Sequence, residues 1–229
     1  MCGRKTLTKE KIEIIEELLV DEWEEGFDWK PNYNIAPTQT SPILLNDGKR
    51  RVRPMHWGLV PSWAKNKTLG AKMINARSET LREKPSFQSL IHQNRCIVIS
   101  DGYFEWKRDG RKKIPHYIHD PEGKLLLMAG LWDRWVDEKE KKWLTYTVIT
   151  TKPASRIRHI HNRMPAILDN PEMDLWINSS CPLNDALECL KPYEKPLELY
   201  PVSTYVNSPT NNSYQCILPT ENLSTLNML

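Results

Sequence analysis

Apolar and polar residues alternate with period two along most of this chain, and only a few stretches repeat with a helical period. Strand-like runs fall over 42–46, 51–57, 95–100, 103–106, 114–119, 124–131 and 143–150, with a last one at 198–202. Gly48, Asp109-Gly110 and Glu122-Gly123 mark turns between several of them. Thr8 to about Val20 reads as a helix capped by Thr8, with Ile12, Ile15, Leu18 and Leu19 on one face and glutamates on the other. Further helices are predicted over 78–91, from Asn170-Pro171 onward, and over about 184–190. Pro31 and Pro37 disfavour helix through the segment from Trp29 to Pro37, which reads as irregular. Beyond Ser203 the chain is rich in Asn, Ser and Thr and also reads as irregular. Runs of strands with helices inserted predict an α+β fold. No repeat, low-complexity tract or linker divides the chain, so 1–229 is expected to form one domain, with an irregular tail from about 208.

Length and composition fit that picture. A chain of 229 residues can bury a full core, and nine tryptophans offset an apolar share of only 39%. The absence of a membrane-length apolar run and of a signal-like opening predicts a cytoplasmic protein. Five cysteines in no disulfide-like or zinc-like spacing fit a reducing compartment and free thiols. The net charge of +3 hides an asymmetry. Of 29 acidic and 32 basic side chains, residues 8–28 hold nine and two, so the remainder carries 20 and 30. A basic body points to an anionic partner, with an ordinary solvated surface as the plainer reading.

Four residues could carry chemistry. Removal of Met1 would leave Cys2 with an α-amine and a thiol on one residue. Such a 1,2-aminothiol condenses with an aldehyde and closes to a thiazolidine. The ordinary α-amine pKa of about 7.7–8.0 keeps a useful fraction neutral. Glu105 sits between two aromatics in Asp101-Gly-Tyr-Phe-Glu-Trp106 and shares a strand face with Tyr103. Apolar company would raise its pKa toward neutrality, whereas a wet strand face would not. His161 suits proton transfer. With His159 it forms an H-x-H pair, but no carboxylate or cysteine stands at a spacing that would complete a metal site, and no metal or cofactor is expected. Asn75 offers both donor and acceptor, and Arg77 a fork that fits phosphate. Trp57 reads as core.

Taken in order, the motifs resemble the SOS-response-associated peptidase (SRAP) family. They are the opening Met-Cys-Gly-Arg, Tyr33-Asn-Ile-Ala-Pro37, Trp57-Gly-Leu-Val-Pro61, Ile74-Asn-Ala-Arg77, Gly102-Tyr-Phe-Glu-Trp106, His161-Asn-Arg-Met-Pro165, and Pro201-Val-Ser203 with Val206-Asn207. The resemblance implies curved, barrel-like, mostly antiparallel sheets flanked by helices. It also implies a monomeric sensor of abasic sites in single-stranded DNA, associated with the nucleoid or replication fork. In that reading Cys2 crosslinks to the ring-opened sugar and Asn75 orients the sugar or the amine. Glu105 manages the amine's protons, and His161 assists ring opening. Arg4, Arg77 and Arg163 are implied phosphate or DNA contacts, with Asn34, Pro37 and Thr150 near the path and Trp63 as a stacking wedge. Three other readings stay open. An N-terminal-nucleophile amidohydrolase also begins Met-Cys-Gly, but lacks here its asparagine-glycine motif and a synthase domain. A protease acting on its own N-terminus could share the same residues. A non-covalent DNA-binding module would need no nucleophile.

Overall fold

A computed structural model describes residues 2–220; Met1, whose removal the aminothiol chemistry requires, and the end of the tail, 221–229, lie outside the described residues. The strands in chain order are β1 (Lys5–Leu7), β2 (Glu22–Trp23), β3 (Asn32–Ile35), β4 (Thr40–Asn46), β5 (Arg50–Trp57), β6 (Asn75–Arg77), β7 (Arg95–Ser100), β8 (Gly102–Asp109), β9 (Lys112–His119), β10 (Leu126–Val136), β11 (Lys142–Thr151), β12 (Met164–Pro165), β13 (Ile167–Leu168) and β14 (Glu198–Pro201). The helices are α1 (Lys11–Leu18), α2 (Pro85–Gln88), α3 (Leu90–Gln93), α4 (Asn170–Ile177) and α5 (Leu183–Glu188).

Two sheets form. One is antiparallel, in the order β14-β9-β8-β1-β3. In the other, β4 pairs with β5 and β7, β7 with β10, and β10 with β11, all antiparallel. A parallel pairing of β11 with β5, Thr145 opposite His56, then closes these five strands into a barrel. Closure leaves the five barrel strands no open edge toward one another. The barrel is filled to contact. A Cβ on Gly130 would come within 3.0 Å of Val98, Cys96 and the Thr147 carbonyl, so only glycine fits there. Trp57 is buried, stacks on Tyr146 at 6.1 Å between centroids and donates from its indole to the Ile74 carbonyl at 2.9 Å. Each such side chain contributes roughly 1.5–3 kcal/mol of burial. α4 packs against β7 and buries Trp176, whose indole donates to the Cys96 carbonyl.

The predicted strands all form, and the fold is α+β with a barrel-like sheet as expected. Local differences have local causes. Thr8 does not cap α1, because its hydroxyl donates to Asp101 at 2.7 Å. Glu10 and Glu13 form the capping box instead, and the buried stripe is Ile14 and Leu18, with Ile12 and Leu19 exposed. The expected helix over 78–91 is broken into a 3-10 turn at Ser78–Thr80 followed by α2 and α3, since Pro85 cannot continue a preceding helix. Asp169, not Asn170, caps α4. Asn32–Ile35 is a strand despite its flanking prolines, and β1 and β6 were too short to show a period. No helix among the described residues is long and apolar enough to cross a membrane.

Candidate functional site

Cys2 lies immediately before β1, the strand that sits between β3 and β8, and its side chain is fully buried. On the neighbouring strand the period-two alternation of β8 turns Tyr103 and Glu105 to one face, and both are buried there. Burial foremost, with the nearby Glu105 charge adding to it, pushes the Cys2 thiol up to about 12. Burial likewise raises the Glu105 carboxyl to about 7, within reach of neutral pH. The wet-face alternative for Glu105 is thus excluded. Tyr103 was not singled out for chemistry, but its hydroxyl is buried with no hydrogen-bond partner among the described residues and lies within the electrostatic reach of both Glu105 and Cys2.

Asn75 enters from the larger sheet. The parallel pairing of β6 with β11 sets Asn75 opposite Val148 and Arg77 opposite Thr150. The Asn75 amide donates to the Cys2 carbonyl at 2.7 Å, and its own carbonyl oxygen is buried without a partner among the described residues. His161 comes from the turn before β12. Its Nδ1 lies 4.0 Å from Glu105 Oε1. The same nitrogen accepts from the Arg163 amide at 3.1 Å and lies 3.2 Å from the Arg163 carbonyl, so it has an acceptor role in the neutral ring and a donor role in the charged one. Burial lowers the His161 pKa, favouring the neutral ring. All four sequence candidates for chemistry therefore converge on the seam between the two sheets.

A cleft of 430 Å³ opens at Glu105 and His161 and is lined further by Trp106, Arg108, Lys113 and Asn207. Arg108 and Lys113 face each other across the β8–β9 hairpin, a like-charge pairing that costs stability where no anion lies between. Trp106 and Arg108 have the opposite parity along β8 from Glu105, so strand alternation gave no signal for this wall.

The expected DNA contacts divide. Arg77 is exposed and forms no ion pair among the described residues, and Trp63 is 63% exposed. Pro37 is half-buried in a tight turn where Thr38 has φ of 73°. Arg4 is turned inward, donating to Asn34 Oδ1 at 2.7 Å and the Val206 carbonyl at 2.6 Å, beneath the Trp106 ring. Asn34 donates in turn to the carbonyls of Ser208 and Asn211. These two stitch the C-terminal segment onto the small sheet, which holds Asn207 against the Trp106 indole at 2.8 Å. Both terminal nitrogens of Arg4 are used on the protein, because an unmatched buried guanidinium would be costly, and its Nε is buried without a partner among the described residues. Thr150 is fully buried and donates to the Ala76 carbonyl at 3.3 Å. Arg163 holds Glu79 with two bonds of 2.7 and 2.9 Å and donates to the Thr150 carbonyl.

Comparison with known proteins shows what the chain is similar to. The SOS response associated peptidase (SRAP) family model matches residues 1–209. The abasic site processing protein YoqW of Bacillus subtilis is 42% identical over 221 residues, covering 95% of this chain and 99% of its own. The abasic site processing protein HMCES of Gallus gallus is 35% identical, covering 87% of this chain and 69% of its own. A crystal structure of a protein from Bacteroides thetaiotaomicron superposes with a TM-score of 0.85 at 28% identity, over 96% of this chain and all of that one. By sequence and by fold, this chain belongs to the SOS response associated peptidase family.

Proposed function

We propose that this protein captures abasic sites in single-stranded DNA by forming a thiazolidine between Cys2, freed of Met1, and C1′ of the ring-opened sugar. The observation that carries the proposal is the convergence of Cys2, Asn75, Glu105 and His161 on one seam beside a basic cleft. The names of the relatives as abasic site processing proteins support the substrate.

Each residue has a role that its surroundings favour. Neutral His161 accepts the sugar hydroxyl proton and, once charged, donates one to the departing ring oxygen, opening the hemiacetal to the aldehyde. Glu105, with its carboxyl at about 7, takes a proton from the Cys2 ammonium. The free amine attacks C1′, Glu105 returns its proton to the carbinolamine hydroxyl, and one water leaves to give an iminium. A thiol held at about 12 is a poor nucleophile at rest. The iminium places a positive charge three bonds from the sulfur and lowers that barrier. Sulfur then adds to C1′, its proton passes to Glu105, and nitrogen becomes a secondary amine. One water is released and no oxidant is needed. Asn75 fixes the Cys2 backbone through its amide, and its unpartnered oxygen is an acceptor for the α-amine or a sugar hydroxyl.

The family's description as a peptidase favours one further use of the same groups, hydrolysis of the bond between Met1 and Cys2. Intact mass tests both readings. Purified active protein is expected without Met1, and after mixing with an oligonucleotide carrying one abasic site it gains the oligonucleotide mass less one water. An adduct of equal mass and heat stability from the Cys2→Ala variant would overturn the assignment.

A further inference from the structure

The turn between β10 and β11 and the long loop between β5 and β6 bring two lysines onto one indole. Lys67 Nζ lies 3.1 Å from the centroid of Trp143 and Lys141 Nζ lies 4.3 Å from it. His56 packs edge-on against the same ring at 4.8 Å. Neither ammonium forms an ion pair among the described residues. Asp137 is the carboxylate in electrostatic reach of Lys67, and it is committed to the Trp143 indole at 3.1 Å and to the amides of Lys139 and Lys141. Glu138 and Glu140 share that turn but pair with neither lysine. Two cations on one ring repel each other, and the single charge of Asp137, which acts on Lys141 as well, offsets them only in part.

The topology connects this cluster to the site. β11 pairs with β5 at His56 and with β6 at Asn75 and Arg77. The loop from Gly58 to Ile74 leaves β5 next to the cluster and leads into β6 at the site, and it carries exposed Trp63, Lys65, Lys67 and Lys72. Its base is fixed, since a Cβ on Gly58 would lie 2.6 Å from the Gly70 carbonyl oxygen. Trp143 stands on the opposite face of β11, five residues along the strand from Val148, the partner of Asn75, an axial rise of about 17 Å at ~3.4 Å per strand residue. That is about five nucleotides at the stacked spacing of ~3.4 Å.

We propose that Lys67, Lys141 and Trp143 form a remote phosphodiester clamp, which holds the single strand about five nucleotides from the captured lesion, with the lysine-bearing loop as the track between. This rests on the capture reading above, and the test separates the two. Fluorescence anisotropy of a lesion-free dT12 across a salt series is measured for wild type, the Lys67→Ala/Lys141→Ala double variant and the Lys67→Arg/Lys141→Arg double variant. Loss of two contacts should shallow the log–log salt slope by about 1.4, at ~0.7 per single-strand phosphate, and arginine should restore it. In parallel, adduct formation is timed below saturation on abasic 12-mers with the lesion two nucleotides from either end. The alanine pair should slow capture on one of the two and leave capture on an abasic trimer unchanged. An unaltered dT12 salt slope overturns the clamp while capture by Cys2 stands. A lysine-dependent slope without any adduct in wild type overturns the capture reading while the clamp stands.

Discussion

The Asn75 amide donates to the carbonyl of Cys2 at 2.7 Å, across the seam where the small sheet meets the barrel sheet. The bond fixes the backbone of the residue proposed to react, and it acts from a different sheet. The N-terminal segment is thereby referenced to β11 through the β6 pairing rather than only to its own strand. A net hydrogen bond contributes about 1 kcal/mol, roughly a fivefold effect, and misplacing a reacting group by about 1 Å can cost ~10²-fold. Asn75→Ala should therefore slow adduct formation by about 10- to 100-fold in single-turnover assays. Affinity for undamaged single strand should stay within twofold. Equal capture rates in both proteins would refute the anchoring role.

Glu105 makes a pH prediction whose sign is fixed. Its carboxyl titrates at about 7 in the folded protein against about 4.3 when unfolded, so between those values the folded state binds the extra proton. The stability from this group is complete below about pH 4 and is lost as pH rises through 7. Glu105→Gln should flatten that fall in chemical denaturation measured from pH 5 to 8. It should also slow capture by roughly 10²–10⁴-fold and remove the limb of the rate profile that rises through about pH 7. A wild-type limb centred near pH 4 would place the catalytic base elsewhere.

How much of this was legible beforehand depends on the length of the repeating pattern. The barrel strands are long enough for period two to show, and the seven long runs all become strands. β1 and β6 have three residues each, and they exist through pairing with partners distant in sequence, which no local pattern encodes. The buried stripe of α1 was misplaced because Ile12, Ile14 and Ile15 offer competing faces, and packing settles on Ile14 with Leu18. At the site, residue type and order pointed to Cys2, Asn75, Glu105 and His161, and the fold brings these four together. Direction was not legible. Arg4 and Arg77 look alike as phosphate contacts in sequence, yet one is stitched into the protein and the other is exposed.

That contrast is measurable. Arg4→Ala leaves Asn34 Oδ1 without its donor and the Val206 carbonyl with only the Asn34 amide at 3.2 Å, and a stranded buried acceptor costs about 1–3 kcal/mol. Urea denaturation should show a loss of roughly 1–3 kcal/mol. Arg77→Ala, on an exposed side chain, should stay within about 0.5 kcal/mol of wild type. The order reverses for DNA, where Arg77→Ala should weaken binding at low salt and flatten the salt dependence. An Arg4→Ala variant as stable as wild type would mean that its inward bonds contribute nothing to the fold.

Lys5 supplies the last prediction. Its side chain is fully buried, donating to Ser41 Oγ at 2.8 Å and to the Ile99 carbonyl at 2.8 Å, without a carboxylate in contact among the described residues. Burial lowers its pKa to about 7, only partly offset by the charge of Asp101. The unfolded chain holds this proton up to about pH 10.4. Between the two values the unfolded state binds more protons, so the contribution of Lys5 to stability rises with pH, at up to about 1.4 kcal/mol per unit for one proton. Other groups titrate in the same range, notably the Cys2 thiol, whose folded value of about 12 makes stability fall above pH 9. Lys5→Met isolates the lysine, because those contributions cancel in the difference between the two proteins. The stability of wild type minus that of Lys5→Met, from urea denaturation at pH 7, 8 and 9, should increase at each step. A difference that stays constant over those two units would show that Lys5 keeps its ordinary affinity for the proton inside the fold.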